Sequence, residues 1–160
     1  MKHTLPILIA CGVLVSCEKA SAPFDPEKII AMERSALDRW GKGDPQGYLE
    51  TYAPEITYFD PMREKRADGI QAMKDYLAPI AGKVKVDRYE MIDAKVQHLG
   101  DVAVLSYQLL SHATLPNGSP LTARWNSTKV YGLFDGNWKL FHDHWSFIQP
   151  QLKDPLPGPQ

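Results

Sequence analysis

Thiols are almost absent from this chain. Its two cysteines, Cys11 and Cys17, both fall in the first seventeen of 160 residues, so the sequence beyond them has neither disulfide nor thiol nucleophile. Charge of one sign is also missing. A formal net charge of −1, with no basic run, removes the electrostatic case for nucleic acid as a partner. No segment beyond residue 17 is apolar enough to span a bilayer, and no internal repeat divides the chain. One domain remains, long enough to bury a core without metal or disulfide staples. Aromatic residues, in contrast, are plentiful: four Trp, seven Tyr and five Phe require a heavy core or an aromatic-lined cavity.

The first residues read as a targeting segment. Lys2 and His3 form a short basic start, and Thr4 to Val15 is an apolar stretch too short to cross a membrane. Leu14-Val15-Ser16-Cys17 resembles the lipobox of bacterial lipoproteins, which implies cleavage before Cys17 and lipid on its thiol. Leu8-Ile9-Ala10-Cys11 fits the same pattern but leaves about half the usual apolar length ahead of it. An ordinary secretory signal or a short membrane anchor are the alternatives. Two-signal acylation gives stable anchoring where one chain does not, and Glu18 in place of Asp after the cysteine favours the outer membrane. The expected plan is a signal peptide over 1–16, a lipidated tether over 17–25, a folded domain over 26–149 and a Pro-rich tail over 150–160. The expected location is the cell envelope.

Within the domain, Asp25-Pro26 is an N-cap followed by Pro at the first helical position. Ile29, Met32, Ala36, Leu37 and Trp40 keep helical spacing and predict an amphipathic helix over 26–41. Asp44-Pro45 starts a second, short helix that Pro54 is expected to end. Residues 56–60 predict a strand closed by Pro61, and 69–81 a third helix. From Val84 the period changes to two. Strands are expected over 84–98, 102–114, 122–134 and 139–148, an antiparallel meander broken by Gly100, Asn117-Gly118 and Asp135-Gly136-Asn137. Helices before a long curling sheet bury their apolar faces on its concave side, which makes an α+β layered domain and leaves a cavity between the layers.

On the last three strands the odd positions carry the apolar bulk and are expected to face inward: Leu105, Tyr107, Leu109, Trp125, Ser127, Lys129, Tyr131, Leu133, Phe141, Asp143, Trp145 and Phe147. Even positions, Leu140, His142 and His144 among them, are expected outward. Odd residues share a face across the last hairpin only if its register sum is even, which a three-residue loop at 135–137 gives and a two-residue Asp-Gly turn does not. Lys129 then faces Asp143, a buried charged pair amid aromatics.

These features resemble the nuclear transport factor 2-like superfamily, the cone-shaped domains of ketosteroid isomerases and polyketide cyclases (SnoaL-like proteins). The residues that carry the resemblance are Trp40-Gly41-Lys42-Gly43-Asp44, Tyr58-Phe59-Asp60-Pro61, Asp68-Gly69-Ile70 and the stretch from Asp135 to Ser146, spread over about 27–149. The final strand is most similar to the association-domain branch, which includes the oligomerising hub of calcium/calmodulin-dependent protein kinase II. The resemblance places Asp60 where ketosteroid isomerases keep their proton-abstracting aspartate. It places Ala36 and Lys129 where those enzymes keep a tyrosine and a protonated aspartate as oxyanion donors, so one of three catalytic groups is kept. Pocket arginines of the kinase hub correspond to Leu109, Lys129 and Trp145.

The candidate catalytic residues are therefore Asp60, Lys129 and Asp143, with Trp40, Tyr52, Tyr107, Leu109, Trp125 and Trp145 as cavity walls for a small hydrophobic or aromatic ligand. Asp60 also reads as a simple strand-end carboxylate, and Lys129 with Asp143 as a structural ion pair. His142-x-His144, with His112 as a third ligand, is a weak metal pattern on the outer face; neither a metal nor a cofactor is expected. Arg124 reads as a rim or dimer contact. Two functions compete. One is a membrane-tethered binding domain or isomerase- or cyclase-like enzyme. The other is a homodimeric assembly module, paired through the outer sheet face and retaining a vestigial cavity.

Overall fold

The structure is a computed structural model that describes residues 23–148. The expected signal peptide, Cys17 and the Pro-rich tail lie outside the described residues.

Asp25 caps the first helix, its carboxylate accepting from the Glu27 N–H at 3.0 Å, and Pro26 opens α1, Pro26–Trp40. The second helix is shorter than its start signal suggests: α2 spans only Gln46–Leu49, and the chain is already extended at Tyr52. Pro54 does not end a helix. It sits inside β1, Tyr52–Phe59, where the ladder to its neighbour is interrupted between Tyr52 and Thr57 and asks no N–H of it. A two-residue strand, β2, Ala67–Asp68, pairs with β1 and leads into α3, Gly69–Leu77. That helix stops short of residue 81 because Pro79 offers no N–H, and a 3-10 turn over Ala78–Ile80 takes its place.

Four long strands follow: β3, Arg88–Leu99; β4, Val102–Thr114; β5, Pro120–Phe134; and β6, Asn137–Phe147. They form the expected antiparallel meander, although β3 begins four residues later than its alternation suggests. The six strands make one sheet in the order β2-β1-β6-β5-β4-β3, with β1 running parallel to β6. The sheet curls without closing, and the helices pack on its concave side. This is the expected α+β cone. No helix among the described residues is long and apolar enough to cross a membrane.

The last hairpin corrects one expectation. Phe134 pairs with Asn137 across a two-residue turn, Asp135-Gly136, and both turn residues have positive φ (48° and 77°), the conformation that twists with the flanking strands. Such a turn alone would put Lys129 out of register with Asp143. A bulge restores it, because Tyr131 pairs with Leu140 while Val130 pairs with His142, leaving Phe141 as the extra residue. Between the bulge and the turn the faces are exchanged. Leu140, expected outward, is fully buried, and Phe141, expected inward, is only half-buried. Beyond the bulge the odd positions face inward as expected. One row then runs across five strands: Val96, Leu105, Lys129, Asp143 and Tyr58.

Candidate functional site

The centre of the cone holds charge. Lys129 and Asp143 are both 0% exposed, and the Lys129 Nζ donates to Asp143 Oδ1 at 2.7 Å. On its other side the ammonium lies 3.4 Å from Oε1 of Glu33, which α1 lowers into the same space at 1% exposure. Two aromatic rings complete its surroundings, Trp145 at 4.5 Å and Tyr48 at 4.9 Å from their centroids. Burying such groups costs several kcal/mol each unless they are paired and hydrogen-bonded, and both conditions are met. Glu33 accepts from three tyrosine hydroxyls: Tyr48 at 2.9 Å, Tyr107 at 2.6 Å and Tyr131 at 3.2 Å. The second oxygen of Asp143 has the Tyr52 hydroxyl at 3.5 Å.

Glu33 is absent from the sequence-derived candidates. Its signal is positional: it falls four residues after Ile29 and four before Leu37, on the stripe α1 buries. A carboxylate on that stripe requires partners on the opposing sheet.

Burial pushes the Asp143 carboxyl up to about 6, with the Lys129 ammonium pulling against it and the Glu33 carboxyl pushing further. Burial also holds the hydroxyls of Tyr48, Tyr52, Tyr58, Tyr107 and Tyr131 well above their ordinary range, so they remain protonated donors.

Above this cluster lies a cavity of about 130 Å³. It opens where the C-terminal end of α1 meets the sheet rim formed by the start of β3, the end of β4 and the start of β5. Trp40, Tyr52, Leu109, Trp125 and Trp145 line it. Tyr107 does not. It lies beneath the floor and spends its hydroxyl on Glu33. Lys129 is likewise below the wall, whereas Asp60 and Asp143 are both on it. Tyr48, Tyr58, Tyr89 and Ser111 join the lining although not proposed for it from sequence, together with the apolar Leu37, Leu77 and Val86. Trp125 stands edge-on to Trp145 (centroids 6.0 Å apart, 85°) and donates its Nε1–H to Ser111 Oγ at 3.0 Å, which fixes the wall.

Asp60 directly follows β1 at the rim. Its two oxygens accept from the Tyr58 hydroxyl and the Met62 N–H, each at 2.6 Å. The strand-end turn and a cavity-facing carboxylate therefore coexist in one residue. Arg124 is exposed on the outer side near the start of β5. Outside the cone, His142 Nδ1 lies 2.8 Å from Thr57 Oγ1, and burial and the neighbouring His144 push its imidazole down. His112 is near Thr122, eight residues along β5 from the partner of His142, or about 26 Å. Among the described residues no three His, Cys, Asp or Glu side chains gather as a metal site.

A search among curated proteins finds no match to the chain. Solved structures do match. A presumptive ketosteroid isomerase from Parabacteroides distasonis superimposes with a TM-score of 0.69 at 31% identity, over 79% of this chain and 89% of that one. The hub homology domain of Chlamydomonas reinhardtii matches at 28% identity and TM-score 0.65, over 77% and 98% of the two chains. The C. elegans association domain shares the fold at TM-score 0.65 and 24% identity, over 75% and 93%. The family model of the calcium/calmodulin dependent protein kinase II association domain matches residues 26–149. With its six-stranded cone and buried central cluster, the chain belongs to the calcium/calmodulin dependent protein kinase II association-domain family, within the nuclear transport factor 2-like fold.

Proposed function

We propose that this domain is a small-molecule-binding cone, held in the cell envelope by lipid on Cys17. The observation that carries the reading is the cavity itself. Its aromatic walls are braced by hydrogen bonds and edge contacts, and its floor keeps a fully buried ionic cluster that a merely structural core has no need of, since apolar packing serves stability as well or better. A cavity of about 130 Å³ is close to the ~150 Å³ cavity that accepts benzene in an engineered core. One ring with a short polar substituent is the right size. Isomerase- or cyclase-like chemistry would rest on Asp60 as general base, next to the Tyr58 hydroxyl; the incomplete oxyanion set favours binding over fast turnover.

The test is a thermal-shift screen of single-ring compounds against the wild type and Leu109→Trp. Leu109 is on the wall, so an indole there fills the cavity. Wild-type protein should gain stability from a subset of compounds, by about 2.7 kcal/mol at a concentration one hundred times the dissociation constant. Leu109→Trp should fold and respond to none. Equal responses from both proteins would place binding elsewhere.

Assembly is the second reading, favoured by the family match and by neighbours whose names identify them as hubs. The outer face of the sheet mixes Ser106, Gln108, Thr128 and His144 with half-buried Leu110 and Val130, a composition suited to a homodimer contact. Binding and assembly are compatible in one molecule, because the cavity opens at the rim and this face lies on the convex side.

A further inference from the structure

Resting on the small-molecule reading above, we infer that the cavity is selective for organic cations: a protonated amine or quaternary ammonium carried on a single apolar or aromatic ring.

Four observations converge on that class. Among the described residues, the charged side chains on the cavity wall are two carboxylates, Asp60 and Asp143. The one buried ammonium lies beneath the wall, wedged between Asp143 and Glu33 and covered by the Tyr48 and Trp145 rings, so no donor of Lys129 reaches an incoming anion. The buried cluster sets two carboxyl groups against that single ammonium, and a cation entering the cavity is attracted by the imbalance. Finally, the walls are rich in ring faces and edges, the surface that recognises ammonium groups elsewhere.

The two carboxylates act differently. Asp143 borders the cavity yet has no surface open to water, so its charge acts through its field rather than by direct contact. Asp60 is partly open at the rim, and with the Tyr58 hydroxyl, the Met62 N–H and the neighbouring Tyr76 hydroxyl on its two oxygens, one lone-pair position is still left over. Asp60 is therefore the direct partner of the cationic head. Arg63, three residues beyond Asp60, has its guanidinium 4.5 Å over the Tyr76 ring and its Nε–H on the Lys65 carbonyl, and it is not part of the cavity wall.

The experiment compares three ligands of one shape and different charge, benzylamine, benzyl alcohol and phenylacetate, by tryptophan fluorescence titration of the full chain in detergent at neutral pH. Benzylamine should bind about tenfold more tightly than benzyl alcohol, and phenylacetate more weakly than either. Asp60→Asn, a rim substitution that leaves the core cluster intact, should bring benzylamine and benzyl alcohol to within about threefold of each other. Phenylacetate binding as tightly as benzylamine, or a benzylamine preference unchanged in Asp60→Asn, would overturn the cation assignment and leave the small-molecule reading standing. Failure of all three at millimolar concentration would overturn both.

Discussion

The residue that most changes the picture of this core is Glu33. Strand parity with an even hairpin register brings Lys129 and Asp143 together, so that pair is legible in the sequence once the register is allowed; its third member is on a helix, where a polar residue between apolar neighbours reads as solvent-facing unless the stripe is traced through it. Lys129 consequently looks, from sequence, like a cation offered to a ligand, whereas its charge is already shared by two carboxyls. The cluster has a consequence for pH. Asp143, raised from 3.8 to about 6, favours the folded state most when protonated. Its contribution is complete below about pH 3.8 and is lost as pH rises through 6, a difference of about 3 kcal/mol. The groups facing it are Lys129, Glu33 and the hydroxyls of Tyr48, Tyr52, Tyr58, Tyr107 and Tyr131. Urea unfolding at pH 4.5 and 7.5 should show Asp143→Asn losing most of this pH-linked component relative to wild type. An identical pH difference in both proteins would mean that Asp143 titrates at its ordinary value.

At the scale of elements, the helices and the long strands follow from caps, spacing and alternation, and their errors are local. Pro54 and Pro79 show the two ways proline misleads: one sits where the ladder is already broken, the other converts a helix end into a 3-10 turn without ending the element's path. The last hairpin is the instructive case. The buried pair needs an even register, which a three-residue loop would supply, yet the chain uses a two-residue turn and recovers the register at Phe141. Alternation in a sequence registers the net parity, not the place where an extra residue is absorbed. Deleting Phe141 should therefore leave a regular ladder in which Leu140 and Asp143 still face inward, at a stability cost below about 2 kcal/mol. Cross-strand nuclear Overhauser contacts between Lys129 and Asp143 are the check. Their disappearance, with His142 or His144 facing Lys129 instead, would refute this account of the register.

For the whole molecule, orientation matters as much as fold. Phe24, just ahead of α1, stacks on His98 at 3.8 Å and meets the Trp138 edge at 5.6 Å. Both partners are at the end of the sheet marked by Leu99 and Val102, whereas the cavity opens at the other end, by Tyr89, Ser111 and Trp125. A lipid on Cys17, no more than about 25 Å of chain from Phe24, would hold the closed end toward the membrane and turn the mouth outward. Cys17→Ser should release the protein to the soluble fraction, and Cys11→Ser should not; membrane retention of the Cys17 variant would refute the anchor. A soluble form beginning at Ser21 should sediment as a dimer at roughly tens of micromolar, and a monomer there would remove the convex face as an interface. The central claim, that the cone holds a small molecule, is tested most directly by native mass spectrometry of protein purified under gentle conditions without added ligand. A bound mass that accompanies the wild type, and is missing from Leu109→Trp, is the expected result. A single ligand-free mass for the wild type that stays unchanged on adding benzylamine, benzyl alcohol or phenylacetate would contradict it.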